Sequence, residues 1–243
     1  MALQREFETA GDWLFRWRSY VPLGLTAVLI SAMWGFHYPW QSHEIDTAVD
    51  LFCLAVSLCG LAVRVSTVGF VPNRTSGRNT AGQVADSLNT TGMYSVMRHP
   101  LYFGNFWIWF GISLFPRVWW CPVIVALAFL LFYERVMFAE ERFLREKFGV
   151  RFDSWAAVTP ALWPKFSLWQ PPARGFSLKA VLRRENSTLF AIIAGFFVLE
   201  EVGTIVAEGR VVPDPLWAIL FVCGLSAYLT LKILKKARLL TTE

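Results

Sequence analysis

Two charged strings, Arg98-His99 and Glu140-Glu141, lie some forty residues apart, each at the edge of an apolar run. The first belongs to Tyr94-Ser95-Val96-Met97-Arg98-His99-Pro100-Leu101-Tyr102-Phe103-Gly104. Pro100 stands in the first turn of an expected helix, where its missing N–H costs nothing. Gly104 has no Cβ and admits the close approach of another backbone or of a flat ligand. An isolated Arg or Glu at such a place is an ordinary interfacial charge that snorkels to water. Brought together, two cations and two anions make a site that a water-soluble cofactor and a lipid can both reach. The chain shows no GxG nucleotide loop, no GK[ST], no HExxH and no GxSxG. His37, His43 and His99 are too few and too scattered to suggest a metal centre.

The elements between the two strings bring them together. An apolar run over 101–115 ends at Pro116, and the next starts near Pro122 and stays helix-compatible to Lys147, where Phe148-Gly149 supplies a stop. Pro116 and Pro122 bracket a tight connection, so the two runs read as a helical hairpin. Sixteen helical steps from Phe115 back to His99 cover about 24 Å, and seventeen from Val123 to Glu140 about 26 Å. Both strings therefore fall at one depth, near one face of a hydrocarbon core about 30 Å thick.

Four more apolar runs, 21–38, 47–71, 188–207 and 216–234, complete the pattern. With 55% hydrophobic and 17% charged residues, 21 Phe and 12 Trp, the chain lacks the polar residues to cover a soluble domain. The expected fold is all-α: a polytopic integral membrane bundle of about six transmembrane helices, with a central helical hairpin and a cytoplasmic cofactor pocket. Residues 1–243 read as one domain, with a core over about 47–166 and an added C-terminal hairpin over about 188–236. Lys and Arg crowd the stretch 134–187, the loop after the second run and the C-terminal end. The positive-inside rule then puts both termini and the active site in the cytoplasm, in an inner or endoplasmic-reticulum-type membrane. The net charge of +5 has the same source, so no nucleic-acid partner is expected. Cys53, Cys59, Cys121 and Cys223 lie in or beside apolar runs and read as small hydrophobes, not as disulfide or zinc ligands.

Two separated motifs resemble the isoprenylcysteine carboxyl methyltransferase family and the related phospholipid methyltransferases. The R-H-P-x-Y-x-G of that family stands as Arg98 to Gly104, after Thr91-Gly92-Met93-Tyr94. Its E-E-x-x-L-x-x-x-F-G stands as Glu140 to Gly149, and its Y-x-x-Y…P…P region as Phe152, Trp155, Pro160 and Pro164, which lose two hydroxyls. The match covers roughly residues 64–166. The resemblance implies methyl transfer from S-adenosylmethionine to a lipid-like acceptor. The implied cofactor contacts are Tyr94, His99, Pro100, Leu101, Tyr102, Glu140 and Glu141, with Gln83, Leu88 and Asn89 ahead of the motif. Eukaryotic relatives associate an arginine one turn before the glutamates with the acceptor; here Val136 takes that place and Arg135 is nearest. In the roles assigned, Glu140 binds ribose hydroxyls or the amino group, His99 and Tyr102 wall the adenosine, and Arg98 or Arg135 holds an anion. The nominal acceptor is a prenylcysteine carboxylate, with a phospholipid or lipid A-type phosphate or amine as the alternative. An ionised acceptor needs no general base, and donor–acceptor placement can supply much of the acceleration.

The loop Arg74-Thr75-Ser76-Gly77-Arg78 is basic and hydroxyl-rich, and its Arg74 and Arg78 could receive a phosphate head group. Glu200 and Glu201 lie inside the fifth run, either answering Arg64 across the bundle or marking a helix that meets water. Rival readings are a sterol-reductase-like membrane enzyme using NADPH, and a transporter. The latter would favour repeated broken helices, which the chain does not show.

Overall fold

The computed structural model describes residues 2–18, 20–38, 43–72, 85–237 and 239. Gln83, Arg74 and Arg78 lie outside the described residues. Helices follow in the order α1 (Ala2–Trp17), α2 (Leu25–Met33), α3 (His43–Val68), α4 (Met93–Val96), α5 (Pro100–Leu114), α6 (Trp120–Phe148), α7 (Val150–Val158), α8 (Leu178–Glu208) and α9 (Pro215–Lys236). No strand occurs among the described residues.

Helix α3 over Glu44–Val68, with α6, α8 and α9, is long and apolar enough to cross a membrane, giving four candidate spans among the described residues where the apolar runs predict six. Two runs fall short for local reasons. The run 21–38 is broken at its start by a 3-10 turn, Val21–Gly24, that contains Pro22. What remains is α2, nine residues long and so about 13 Å. The run 101–115 becomes α5, whose 15 residues cover about 22 Å, less than the hydrocarbon thickness. The molecule is a helical membrane bundle with short apolar helices packed into it.

Pro100 does open α5, with His99 as the residue before it, and Gly149, at φ 52°, ends α6. Antiparallel to each other, α5 and α6 are joined across Pro116, so the predicted hairpin is present. Among the described residues, α3 packs most extensively on α5. A Cβ on Gly104 would come within 2.6 Å of the Arg64 side chain and 2.7 Å of the Gly60 carbonyl, so this glycine serves backbone approach. At the same seam the Ser57 hydroxyl donates to the Ile108 carbonyl at 2.9 Å.

Two expectations about α8 are corrected. It begins at Leu178, ten residues before the apolar run, because the Ser177 hydroxyl caps it by accepting from the Ala180 N–H. That polar first stretch carries Glu185, whose two oxygens each accept from Arg64 at 2.8 Å. Arg64 also donates to Asn105 at 2.7 Å. Its partner is thus Glu185, and Glu200, fifteen residues further along α8, meets Asp46 and Asp50 instead. All four cysteines are free; Cys53 and Cys121 are buried, Cys59 and Cys223 exposed.

Candidate active site

His99 ends the irregular stretch before α5, and its ring turns toward the last third of α6. Its Nε2 lies 2.9 Å from a Glu141 oxygen and its Nδ1 3.6 Å from a Glu140 oxygen. Arg98 donates from Nε to the same Glu141 oxygen at 2.7 Å. The two strings separated by forty residues therefore do meet across the hairpin, as helix counting predicts. Burial alone would push the His99 imidazole down. Its hydrogen bonds to Glu140 and Glu141, with their charges, outweigh burial and hold it above the usual histidine range.

The two glutamates divide their work. Glu141 is closed by Arg98 and His99, with its side chain 19% exposed. Glu140, at 33%, has the longer His99 contact and lies near Tyr102. Tyr102 stacks on the His99 ring, 5.6 Å between centroids, and tilts against Tyr133 on its other side at 4.6 Å. Asn105 donates to the Tyr133 hydroxyl at 3.2 Å and accepts from Arg64, so a polar chain runs inward from the site to the α3–α8 ion pair.

What holds the motif is the backbone that follows α7. Arg98 N–H donates to the Pro160 carbonyl at 2.8 Å and His99 N–H to the Ala161 carbonyl at 3.0 Å. Lys165 N–H returns to Val96, and Gly92 N–H reaches Gln170, both at 3.0 Å. The Trp155 indole donates to the Tyr94 carbonyl at 3.1 Å. Arg98 completes the clamp by donating from Nη1 to the carbonyls of Ala156 and Thr159 at 2.9 and 2.6 Å.

A separate cavity of about 520 Å³ is lined by Leu88, Ser95, Arg151, Trp155, Thr159 and Gln170, among others, and by none of Arg98, His99, Tyr102, Glu140 and Glu141. Leu88 therefore faces a cavity; its neighbour Asn89 is half-buried and does not line it. Pro100 is buried and Leu101 half-buried in the first turn of α5. Arg135 precedes Glu140 by five residues, which turns it about 140° around α6. On that side the Arg135 carbonyl packs on α1, only 2.6 Å from where a Gly11 Cβ would sit.

Sequence reasoning missed Arg18. It follows α1 and is close enough to act electrostatically on Glu140, Tyr102 and Tyr133. Its guanidinium is held over the Phe15 ring at 3.8 Å and by the Phe15 carbonyl at 2.9 Å. The only signal was the Arg-and-Trp string 13–18, which reads equally well as an interfacial anchor.

The chain is 34% identical over 154 residues to the nickel-cobalt-cadmium resistance protein NccN of Alcaligenes xylosoxydans xylosoxydans, covering 63% of this chain and 65% of that one. It is 32% identical over 154 residues to the cobalt-zinc-cadmium resistance protein CzcN of Cupriavidus metallidurans, covering 63% and 64%. The match thus spans just under two thirds of the length of these relatives. No solved structure matches the chain at a significant level. Residues 51–151, the stretch from α3 to the start of α7 that holds both motifs, match the phospholipid methyltransferase family, in agreement with the resemblance the motifs carry.

Proposed function

We propose that the protein is an integral-membrane methyltransferase that uses S-adenosylmethionine and modifies the polar head of a lipid-like substrate. The observation that carries this reading is the convergence of His99, Tyr102, Glu140 and Glu141 across the α5–α6 hairpin, inside the matched region.

The donor set fits the cofactor. Glu140 is the more open carboxylate and can accept from ribose hydroxyls or an ammonium group, beside the aromatic stack of His99 and Tyr102. When bound, S-adenosylmethionine supplies a methyl group on a sulfonium, and the C–S bonding pair stays on sulfur as a new C–O or C–N bond forms. The chain's own part is placement. Glu141 locks Arg98 and His99, so Arg98 acts as a positioning residue rather than an anion receiver. Arg18 supplies positive potential near Glu140 for a carboxylate or phosphate acceptor, which requires no proton removal. An amine acceptor would instead release one proton to water.

Radiolabelled methyl transfer by the purified chain into a total lipid extract and a prenylcysteine analogue tests the reading. Label in lipid that survives base supports a phosphate or amine head, and base-labile label in the analogue supports a carboxyl ester. Label in neither fraction overturns the proposal.

Both relatives are named for metal resistance, and we extend that setting to this chain. Methylation that removes an anionic head-group charge weakens the surface potential that gathers cations. Expression of the chain, but not of Glu140→Gln, is then expected to raise a host's tolerance of cobalt and cadmium.

A further inference from the structure

A second cluster of charge occupies the other end of α3 and α8. Asp50 precedes Arg64 by fourteen residues on α3, about 21 Å along the axis, and Glu200 follows Glu185 by fifteen on α8, about 22 Å. Asp46 and Asp50 are one turn apart and share a face of α3. Glu200 projects from α8, which packs along α3. One ligand atom from each of the three carboxylates lies within 4.8 Å of the others. Asp46, Asp50 and Glu200 are 2%, 0% and 6% exposed.

We propose that Asp46, Asp50 and Glu200 bind one hard divalent cation, of the magnesium, manganese or calcium class. The inference is independent of the methyl-transfer reading.

Charge balance supports it first. Three carboxylates meet a single arginine, Arg117, which stands in the α5–α6 turn with Nη2 at 2.6 Å from Asp46 and also bonded to Asp50. The cluster therefore carries an excess of negative charge that a divalent cation offsets. Ionisable groups inside a membrane helix are costly unless compensated. Unfilled valence points the same way. Asp50 Oδ2 and Glu200 Oε2 are buried without a hydrogen-bond partner. A buried acceptor left so costs about 1–3 kcal/mol, and more when charged. Arg117 cannot relieve them, because its guanidinium lies over the Phe36 ring at 4.8 Å and its remaining nitrogens do not reach a carboxylate. Geometry sets the class of ion. Oxygen ligands sit at about 2.0–2.6 Å from these cations, which puts opposed oxygens about 4–5 Å apart. An all-carboxylate set with no thiolate or imidazole selects hard ions, with waters completing the shell. Asp214 and Glu208, at the ends of the connection between α8 and α9, add negative potential at the same end of the bundle.

The test uses the full chain in detergent or nanodiscs, stripped with chelator and titrated with Mn²⁺ while the electron paramagnetic resonance signal of the free ion is followed. The expected result is one Mn²⁺ per chain, displaced by Mg²⁺ or Ca²⁺. Affinity should fall more than about tenfold in Glu200→Gln and in Asp50→Asn. Mn²⁺ should also raise the Tm of the wild type and leave both variants unmoved. Asp46→Asn, in the first turn of α3, replaces either variant that fails to fold. No uptake by the wild type overturns the proposal, and so does equal uptake by wild type and variants. It is overturned equally if metal-free Glu200→Gln is more stable than a wild type indifferent to Mn²⁺, the signature of carboxyls that share protons instead.

Discussion

Adjacent glutamates of the same type have different surroundings, and their substitution should separate binding from architecture. Glu140→Gln keeps the Tyr102 contact and the fold but loses the charge offered to the cofactor. The expected outcome is at least a tenfold loss of methyl transfer with weakened S-adenosylhomocysteine binding by calorimetry, and a Tm lowered less than in Glu141→Gln. Glu141→Gln removes the charged acceptor shared by Arg98 and His99. Hydrogen bonds to charged groups contribute about 1.5–3 kcal/mol, so this variant should unfold at a lower temperature. His99 adds a pH dependence with a definite sign. Its folded value is raised above the ordinary 6.5, so the charged ring contributes stability that is fully present below about 6.5. That contribution is lost as pH rises through the folded value. Thermal unfolding between pH 6 and 9 should show the wild type losing its advantage over His99→Gln as pH increases. A constant gap would mean that the ring is neutral between its glutamates.

Helix contacts make sharper predictions for glycine than helix propensity alone does. At Gly104, a Cβ meets the Arg64 side chain and the Gly60 carbonyl, and the α3 backbone cannot move away cheaply. Gly104→Ala should destabilise by about 1–3 kcal/mol through overpacking. Gly195, inside α8, has nothing within 4 Å of an added Cβ, so Gly195→Ala should stabilise by up to about 1 kcal/mol from helix propensity. Opposite signs in thermal unfolding would confirm that the α3–α5 seam sets the position of the motif. Much of this element layer was legible in the chain. Apolar runs, Pro100, Pro116 and Gly149 sufficed to place the α5–α6 hairpin, and counting its residues put His99 level with Glu140. The segment after α7 was not legible, because it grips Arg98 and His99 through backbone N–H and carbonyl groups, which leave no mark in side-chain identity. The pairing of Arg64 with Glu185 was hidden by the polar first turns of α8, which look like loop when hydropathy alone is followed. Asp46, Asp50 and Glu200 come together across some 150 residues, and only the packing of α8 on α3 reveals it.

At the scale of the whole molecule, the bundle has two chemically distinct ends joined by α3 and α8. One gathers Arg98, His99 and the glutamate pair, and the sequence around it is rich in Lys and Arg: Arg142, Arg145, Lys147, Arg151, Lys165 and Arg174. The other gathers Asp46, Asp50, Glu200, Glu208 and Asp214 against Arg117 and Arg210. Lys and Arg near span ends are retained on the cytoplasmic side, while Asp and Glu carry little topological information. We therefore propose that the methyl-transfer end faces the cytoplasm, where S-adenosylmethionine would be supplied, and that the carboxylate cluster faces the opposite compartment. Orientation can be read with a membrane-impermeant maleimide, because both ends offer exposed positions. Val211, 70% exposed between α8 and α9, marks the carboxylate end. Arg174, exposed in the segment that leads into α8, marks the other. Native Cys59 and Cys223 lie within candidate spans, out of reach of a membrane-impermeant reagent, and Cys53 and Cys121 are buried. In intact cells Val211→Cys should label above the wild-type background, and Arg174→Cys should label only after the membrane is permeabilised. The reverse pattern would put the active site on the far side of the membrane from the cytoplasmic cofactor pool, and would force a different donor for the reaction.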